Sequence, residues 1–220
     1  KILSLDAGII NLHPTTVHQQ FYSTGSYIYH EPSGLKLYFL PIGTAYQQLE
    51  ESRQVDVYTD ASSRYGFGCV WGNKWARGSW SRKCLQKQSC MEVLETNAMV
   101  AAMEIWAHQS SGCNVTIHCD NHVVVNRFNG KCKKKNKALE KLFTRMSALA
   151  EMHNISLKVV IADTESDLHR GTDGLSKGSL DKFLKYVPDA EATACKIPGH
   201  LDFVGRAYDS QQCFLDKLSE

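Results

Sequence analysis

The chain has 220 residues, 43% hydrophobic and 22% charged, with a formal net charge of +2. This composition fits one large domain, or one domain with a small appendage, that buries a real core. It excludes global basicity as a means of holding nucleic acid, so any such binding rests on local patches.

Eight cysteines stand at 69, 84, 90, 113, 119, 132, 195 and 213, none in a C-x-x-C pair. Cys69 and Cys119 fall in strand-like runs, where a free thiol packs as a small hydrophobe. The expectation is reduced cysteines and an intracellular protein, cytoplasmic or nuclear. The rival is a disulfide-stapled secreted domain, with Cys84 and Cys90 as the suspect pair. No signal peptide is evident, and no apolar run approaches the ~20 residues that a membrane span needs. A chain opening on Lys1 rather than Met reads as a fragment of a longer polyprotein or as a trimmed chain.

In chain order, residues 1–54 show short apolar runs between turn signals. They predict a few short strands, with a hairpin around Pro32–Gly34. Residues 44–54 are polar and read as a short helix or a linker. From Val55 the pattern sharpens. Val55–Asp60 alternates and is rich in β-formers, and Gly66–Gly72 and Lys74–Trp80 follow, joined by a tight Gly72-Asn73 turn. Three consecutive strands make an antiparallel meander. Leu94, Ala98, Ala101, Ala102 and Ile105 recur at helical spacing. Val115–Cys119 is a further strand, followed by a short helix from Asn121 with Gly130 past its end. Leu139, Leu142, Phe143, Met146, Leu149 and Ala150 predict an amphipathic helix, and Leu157–Ile161 a fifth strand. A helix from about Asp167 is expected to be interrupted at Gly171 and Gly174. A shorter one carries Leu180, Phe183 and Leu184 and ends before Pro188. The later strands are separated by helices, which favours parallel pairing. The fold class is therefore α/β: a mixed five-stranded sheet, three strands antiparallel and two parallel, flanked by helices. The expected division is an extension or connection segment over 1–54, a domain over 55–188 and a tail over 189–220.

Asp60, Glu95, Asp120 and Asp173 each adjoin an apolar segment expected to be buried. A carboxylate at the end of a buried strand is costly unless compensated, and a divalent cation compensates several at once. Phosphodiester hydrolysis by two Mg²⁺ or Mn²⁺ ions uses such oxygen ligands and needs no nucleophilic Ser or Cys. Taken singly, each acid is more often a cap or a surface residue; Asp120 could cap the helix opening at Asn121.

Four blocks change that balance. They are Tyr58-Thr59-Asp60-Ala61-Ser62 with Gly66-Phe67-Gly68 and Trp71 behind it, Val93-Leu94-Glu95-Thr96-Asn97-Ala98 with Ala102, His118-Cys119-Asp120-Asn121, and Thr172-Asp173-Gly174-Leu175-Ser176-Lys177. In order and spacing, residues 55–178 resemble the ribonuclease H domains of reverse transcriptases, with DIRS-like and related retroelements the nearest likeness. The resemblance implies a ribonuclease H-like fold and a metal-binding catalytic tetrad of Asp60, Glu95, Asp120 and Asp173 with two ions. It also implies cleavage of the RNA strand of RNA–DNA hybrids, and a polymerase domain upstream in the same polyprotein. Glu92 competes with Glu95, but Ala98 and Ala102 match the family's alanines only when counted from Glu95. The loop before the last acid departs from the family: Asp163 and His169 stand where a His and an Asn are common. His169 becomes a possible auxiliary in product release or proton handling, beside the plainer reading of a surface loop histidine.

For substrate contact, Lys131–Lys137 contains five lysines, among them Lys133, Lys134 and Lys135, suited to phosphates if they are more than a solvated loop. Ser62, Asn97, Asn121 and Ser176 suit the backbone or the 2′-hydroxyls that distinguish RNA from DNA. Trp71, Trp75 and Trp80 read as core rather than stacking platforms. A zinc site at His118, Cys119 and His122 is disfavoured by poor spacing and opposed side-chain directions. Two other functions are carried. One is a catalytically inactive module that binds nucleic acid or protein. The other is an integrase or resolvase acting on DNA, which the T-D-A-S and D-x-L-S blocks disfavour.

Overall fold

The protein is described from a computed structural model, which covers residues 53–86, 90–132 and 136–207 and four short strands nearer the N-terminus. The chain divides into two compact units, Lys1–Ser52 and Arg53–Glu220.

In the first unit, β1 (Ile9–Ile10), β2 (Gln19–Phe21), β3 (Ser26–Glu31) and β4 (Gly34–Phe39) form an antiparallel sheet in sequence order. Glu31 pairs with Gly34, so the hairpin turns where Pro32-Ser33-Gly34 predicts it. The helix or linker expected over 44–54 lies outside the described residues as far as 52.

The second unit opens with the meander β5 (Gln54–Ala61), β6 (Gly66–Trp71) and β7 (Lys74–Trp80). Gly72 turns β6 into β7 at φ +59°, a conformation that costs glycine little. A short helix, α1 (Arg82–Gln86), precedes α2 (Met91–Trp106). Then come β8 (Asn114–Cys119), α3 (His122–Phe128), α4 (Lys137–Met152), β9 (Ser156–Ile161), α5 (Asp167–Ser176), α6 (Leu180–Tyr186) and β10 (Val204–Ala207). The strand order is β10-β7-β6-β5-β8-β9, with β8 parallel to both β5 and β9.

The expected mixed sheet is present, with one strand more than expected. β10 pairs antiparallel with β7 through Val204–Trp80 and Ala207–Gly78. Its four residues are too short and too weakly apolar to announce a strand. The neighbouring Leu201 and Phe203 are buried in the main core and bring it to the edge. Another correction concerns α5, which runs unbroken through Gly171 and Gly174. A Cβ on Gly174 would lie 2.9 Å from the Phe183 backbone N, and one on Gly171 would lie 2.8 Å from Val187. These glycines are where α6 packs against α5, and that contact outweighs their low helix propensity.

The sheet is covered on two sides. Val55, Val57, Ala61, Val115, Ile117 and Cys119 belong to the core that contains most of α2. That helix is buried almost all round, which explains its run of alanines. A second cluster joins Val70 and Trp75 to Leu175, Phe183 and Val187, with Tyr58 against it. Trp75 and Trp80 are buried, and Trp71 packs on the core, as expected of them. None of the cysteines among the described residues, Cys84 and Cys90 included, is joined in a disulfide. No helix among the described residues is long and apolar enough to cross a membrane.

Candidate active site

Parallel pairing of β5 with β8 sets the first two acids. Tyr58 pairs with His118, so Asp60 and Asp120, each two residues on, leave adjacent strands on the same face. The polar alternative for Asp120 is not realised: Asn121 caps α3, its side chain accepting from Val123 N at 3.0 Å and Val124 N at 3.2 Å. Glu95 is delivered by the second turn of α2. Asp173 arrives on α5, which crosses β6 at Gly68. A Cβ there would stand 2.5 Å from Leu175 Cβ and 2.8 Å from Thr172 O, so the glycine is required for the helix to approach.

All four acids line one cleft of about 360 Å³, with Ala61, Met91, Asn121 and Lys177. Glu92, the competitor of Glu95, is not among the lining residues.

The acids differ in state. Asp60 is 5% exposed. Burial pushes its pKa up to about 7; the Ser176 hydrogen bond opposes this, and the charges of Asp120 and Asp173 add to it. Glu95 is 2% exposed, and burial, then Asp60 and Asp120, push it to about 10. Its Oε2 is buried without a hydrogen-bond partner. For Asp173, burial works upward but is outweighed by Lys177 and Lys182, which hold its carboxyl below the usual range. Lys177 Nζ reaches Oδ1 and Lys182 Nζ reaches Oδ2, each at 2.5 Å.

Four carboxylates converging on a cleft, two of them buried and one with an orphaned oxygen, make an oxygen-rich donor set that fits a hard divalent cation. Two groups of ligand atoms lie within 4.8 Å of one another among the described residues: Asp60, Asp120 and His169, and Glu95, Cys119 and Asp120. Cys119 is a poor candidate, because burial raises its thiol pKa and keeps it protonated. His118 and His122 are in neither group. His118 instead meets Asp56 at 2.7 Å and stacks on Tyr58 with centroids 4.3 Å apart.

The other predicted contacts divide. Asn121 lines the cleft. Ser176 is buried and donates from Oγ to Asp60 Oδ2, so it positions a carboxylate beneath the cleft surface. Asn97 lines a separate groove of about 570 Å³ beside Val93, Lys141 and Arg145. Ser62 lies in the loop after β5, its carbonyl accepting from Trp80 Nε1 at 2.6 Å. Lys133, Lys134 and Lys135 fall outside the described residues. His169, read from sequence as a loop residue, is on α5 and buried. Sequence reasoning gave no role to Lys177 or Lys182. Lys177 is four residues after Asp173, a helical spacing that signals an ion pair; Lys182 reaches it from another helix and has no such signal.

No protein-family model and no curated protein matches the chain. Solved structures it is similar to include ribonuclease H proteins. The N-terminal ribonuclease H domain of Rv2228c from Mycobacterium tuberculosis aligns at TM-score 0.47 and 18% identity, over 58% of this chain and 99% of that one. Ribonuclease H1 from Halobacterium salinarum aligns at TM-score 0.45 and 18% identity, over 58% and 98%. LC11 ribonuclease H1, isolated from compost by a metagenomic approach, was solved in complex with an RNA/DNA hybrid and aligns at 0.41 and 17%, over 59% and 99%.

Proposed function

We propose that this chain is a divalent-cation-dependent endonuclease that hydrolyses the RNA strand of RNA–DNA hybrids, as part of a reverse transcriptase of a DIRS-like or related retroelement. The observation that carries the reading is the convergence of Asp60, Glu95, Asp120 and Asp173, from four separate stretches of chain, on one cleft. The four sequence blocks that bear these acids support it, since each block sits on the element expected of it.

Asp60, Glu95, Asp120 and Asp173 would hold two Mg²⁺ or Mn²⁺ ions. Such ions supply Lewis-acid activation at the phosphodiester and relieve charge on the leaving oxygen. The chain's own residues prepare that site. Ser176 donates to Asp60 and keeps its carboxyl turned to a fixed donor. Asn121 caps α3 and so fixes the chain just after Asp120. Lys177 and Lys182 neutralise Asp173, so a cation bound there competes with two ammonium groups for its charge. The lysines of the Lys131–Lys137 run would take backbone phosphates, and Ser62 and Asn97 would meet the hybrid beyond the cleft. In this reading an upstream polymerase domain of the same polyprotein is the partner, and the setting is intracellular.

A second reading is a binding module without catalysis, favoured by the two lysines that already satisfy both oxygens of Asp173. A labelled RNA–DNA hybrid with Mg²⁺ or Mn²⁺ separates the two. The expected result is RNA-strand cleavage that EDTA abolishes. Asp120→Asn should lower it by at least about 100-fold, since outer-shell changes alone cost 10–100-fold. Hybrid bound by well-folded protein but left intact under both ions would favour the module. Cleavage of duplex DNA instead would point to an integrase-like activity.

A further inference from the structure

We infer that His169 supplies a nitrogen ligand to a cation held between Asp60 and Asp120, so that this position prefers a first-row transition ion such as Mn²⁺ over Mg²⁺. The inference rests on reading the cleft as a cation site, and it assigns that site a donor outside the four carboxylates.

His169 lies four residues before Asp173 on α5, hence on the same helix face. Ser166 fixes the first turn, its Oγ accepting from His169 N at 3.3 Å. The side chain is only 7% exposed, and its Nε2 stands 4.0 Å from Asp120 Oδ2. Nδ1 is buried with no hydrogen-bond partner. Nε2, the nitrogen that faces Asp120, makes no side-chain hydrogen bond of normal length and is the atom open to a cation, while Nδ1 would carry the proton of the neutral ring.

The 4.0 Å separation is too long for a hydrogen bond; a protonated imidazole on a carboxylate closes to about 2.7–2.9 Å. It falls between the separations of adjacent and opposed ligands on one ion. Metal–ligand bonds of about 2.1 Å place two donors about 3 Å apart at a right angle and about 4.2 Å apart when opposed. A His169 ring nitrogen and oxygens of Asp60 and Asp120 lie within 4.8 Å of one another, so small side-chain adjustments would bring all three onto one ion. The buried Oε2 of Glu95, which lines the same cleft and has no hydrogen-bond partner, is an independent second donor available to a cation there.

The choice of ion follows from the donor. Mg²⁺ takes oxygen ligands and retains its waters. Imidazole nitrogen adds affinity for first-row transition ions more than for Mg²⁺. A site of two carboxylates and one imidazole therefore favours Mn²⁺ relative to an all-oxygen site.

Pulsed electron paramagnetic resonance on the metal-free chain loaded with Mn²⁺ tests this without reference to turnover. Wild type should show coupling of the Mn²⁺ electron spin to ¹⁴N, and His169→Gln should not. By calorimetry that variant should lose about 10–100-fold in Mn²⁺ affinity and less than about threefold in Mg²⁺ affinity. Bound Mn²⁺ without nitrogen coupling in wild type would overturn the inference, whatever the variant does. So would equal losses for the two ions in a folded variant. Hybrid cleavage together with absent nitrogen coupling would leave the nuclease reading standing and this one refuted. Failure of Mn²⁺ to bind at all would refute both.

Discussion

Glu95 is 2% exposed, and its pKa is pushed from 4.5 to about 10 by burial and by Asp60 and Asp120. The folded chain therefore keeps a proton that the unfolded chain releases in that window. The stability tied to this group is full below about pH 4.5 and is lost as pH rises toward about 10. Asp60, raised from 3.8 to about 7, adds the same sign at lower pH. The metal-free protein should accordingly lose Tm between about pH 5 and about pH 8. Glu95→Gln should flatten that slope and stabilise the metal-free form at the upper end by on the order of 1–3 kcal/mol. Mn²⁺ or Mg²⁺ should raise wild-type Tm more at the higher pH, because the ligands must be deprotonated to bind. Thermal melts across this range, with and without EDTA, read all three. A slope unchanged by Glu95→Gln would show that Glu95 does not titrate as described.

At the scale of elements, α5 and α6 carry the clearest conflict between local preference and packing. Glycine within a helix costs about 1 kcal/mol relative to alanine, so from the exposed-helix rule Gly174→Ala should stabilise. The structure reverses the sign, because the new Cβ would lie 2.9 Å from Phe183 N and 3.2 Å from Ser179 O, both backbone atoms that cannot swing aside. Gly174→Ala should cost about 1–3 kcal/mol net, the range of an overpacked core. It should also disturb Lys182, which joins α6 to Asp173. A urea midpoint equal to or above wild type would mean that the helices part without loss. The same contact explains why the glycines read as an interruption: spacing along a helix says nothing of what packs on it.

For the molecule as a whole, the chain after α6 completes the sheet rather than trailing from it. Phe203 is 6% exposed and packs edge-on to Phe67 and tilted against Trp80, with centroids 6.4 Å away in each case. Phe203→Ala should cost about 3–5 kcal/mol, the cost of emptying a large buried site. It should also loosen β10, which pairs beside it with β7. Denaturant unfolding measures this, and a loss below about 1 kcal/mol, the scale of surface substitutions, would show that the segment is not part of the cooperative core.

The sequence by itself determined what depends on neighbours along the chain. The alternation of Val55, Val57 and Thr59 against Asp56, Tyr58 and Asp60 announced a two-faced strand, and the 3.6-residue recurrence from Leu139 to Ala150 announced α4. The resemblance, through the positions of Ala98 and Ala102, preferred Glu95 to Glu92. Only the tertiary structure decided what depends on proximity between distant residues. It put Lys182 on Asp173, turned Ser176 inward to Asp60, carried Asn97 to a different groove from the acids, buried His169 beside Asp120, and gave Val204–Ala207 an edge to pair with. Periodicity encodes which face of an element is apolar, whereas the partner of a polar atom is set by strand register and helix packing, and no local run of residues carries that information.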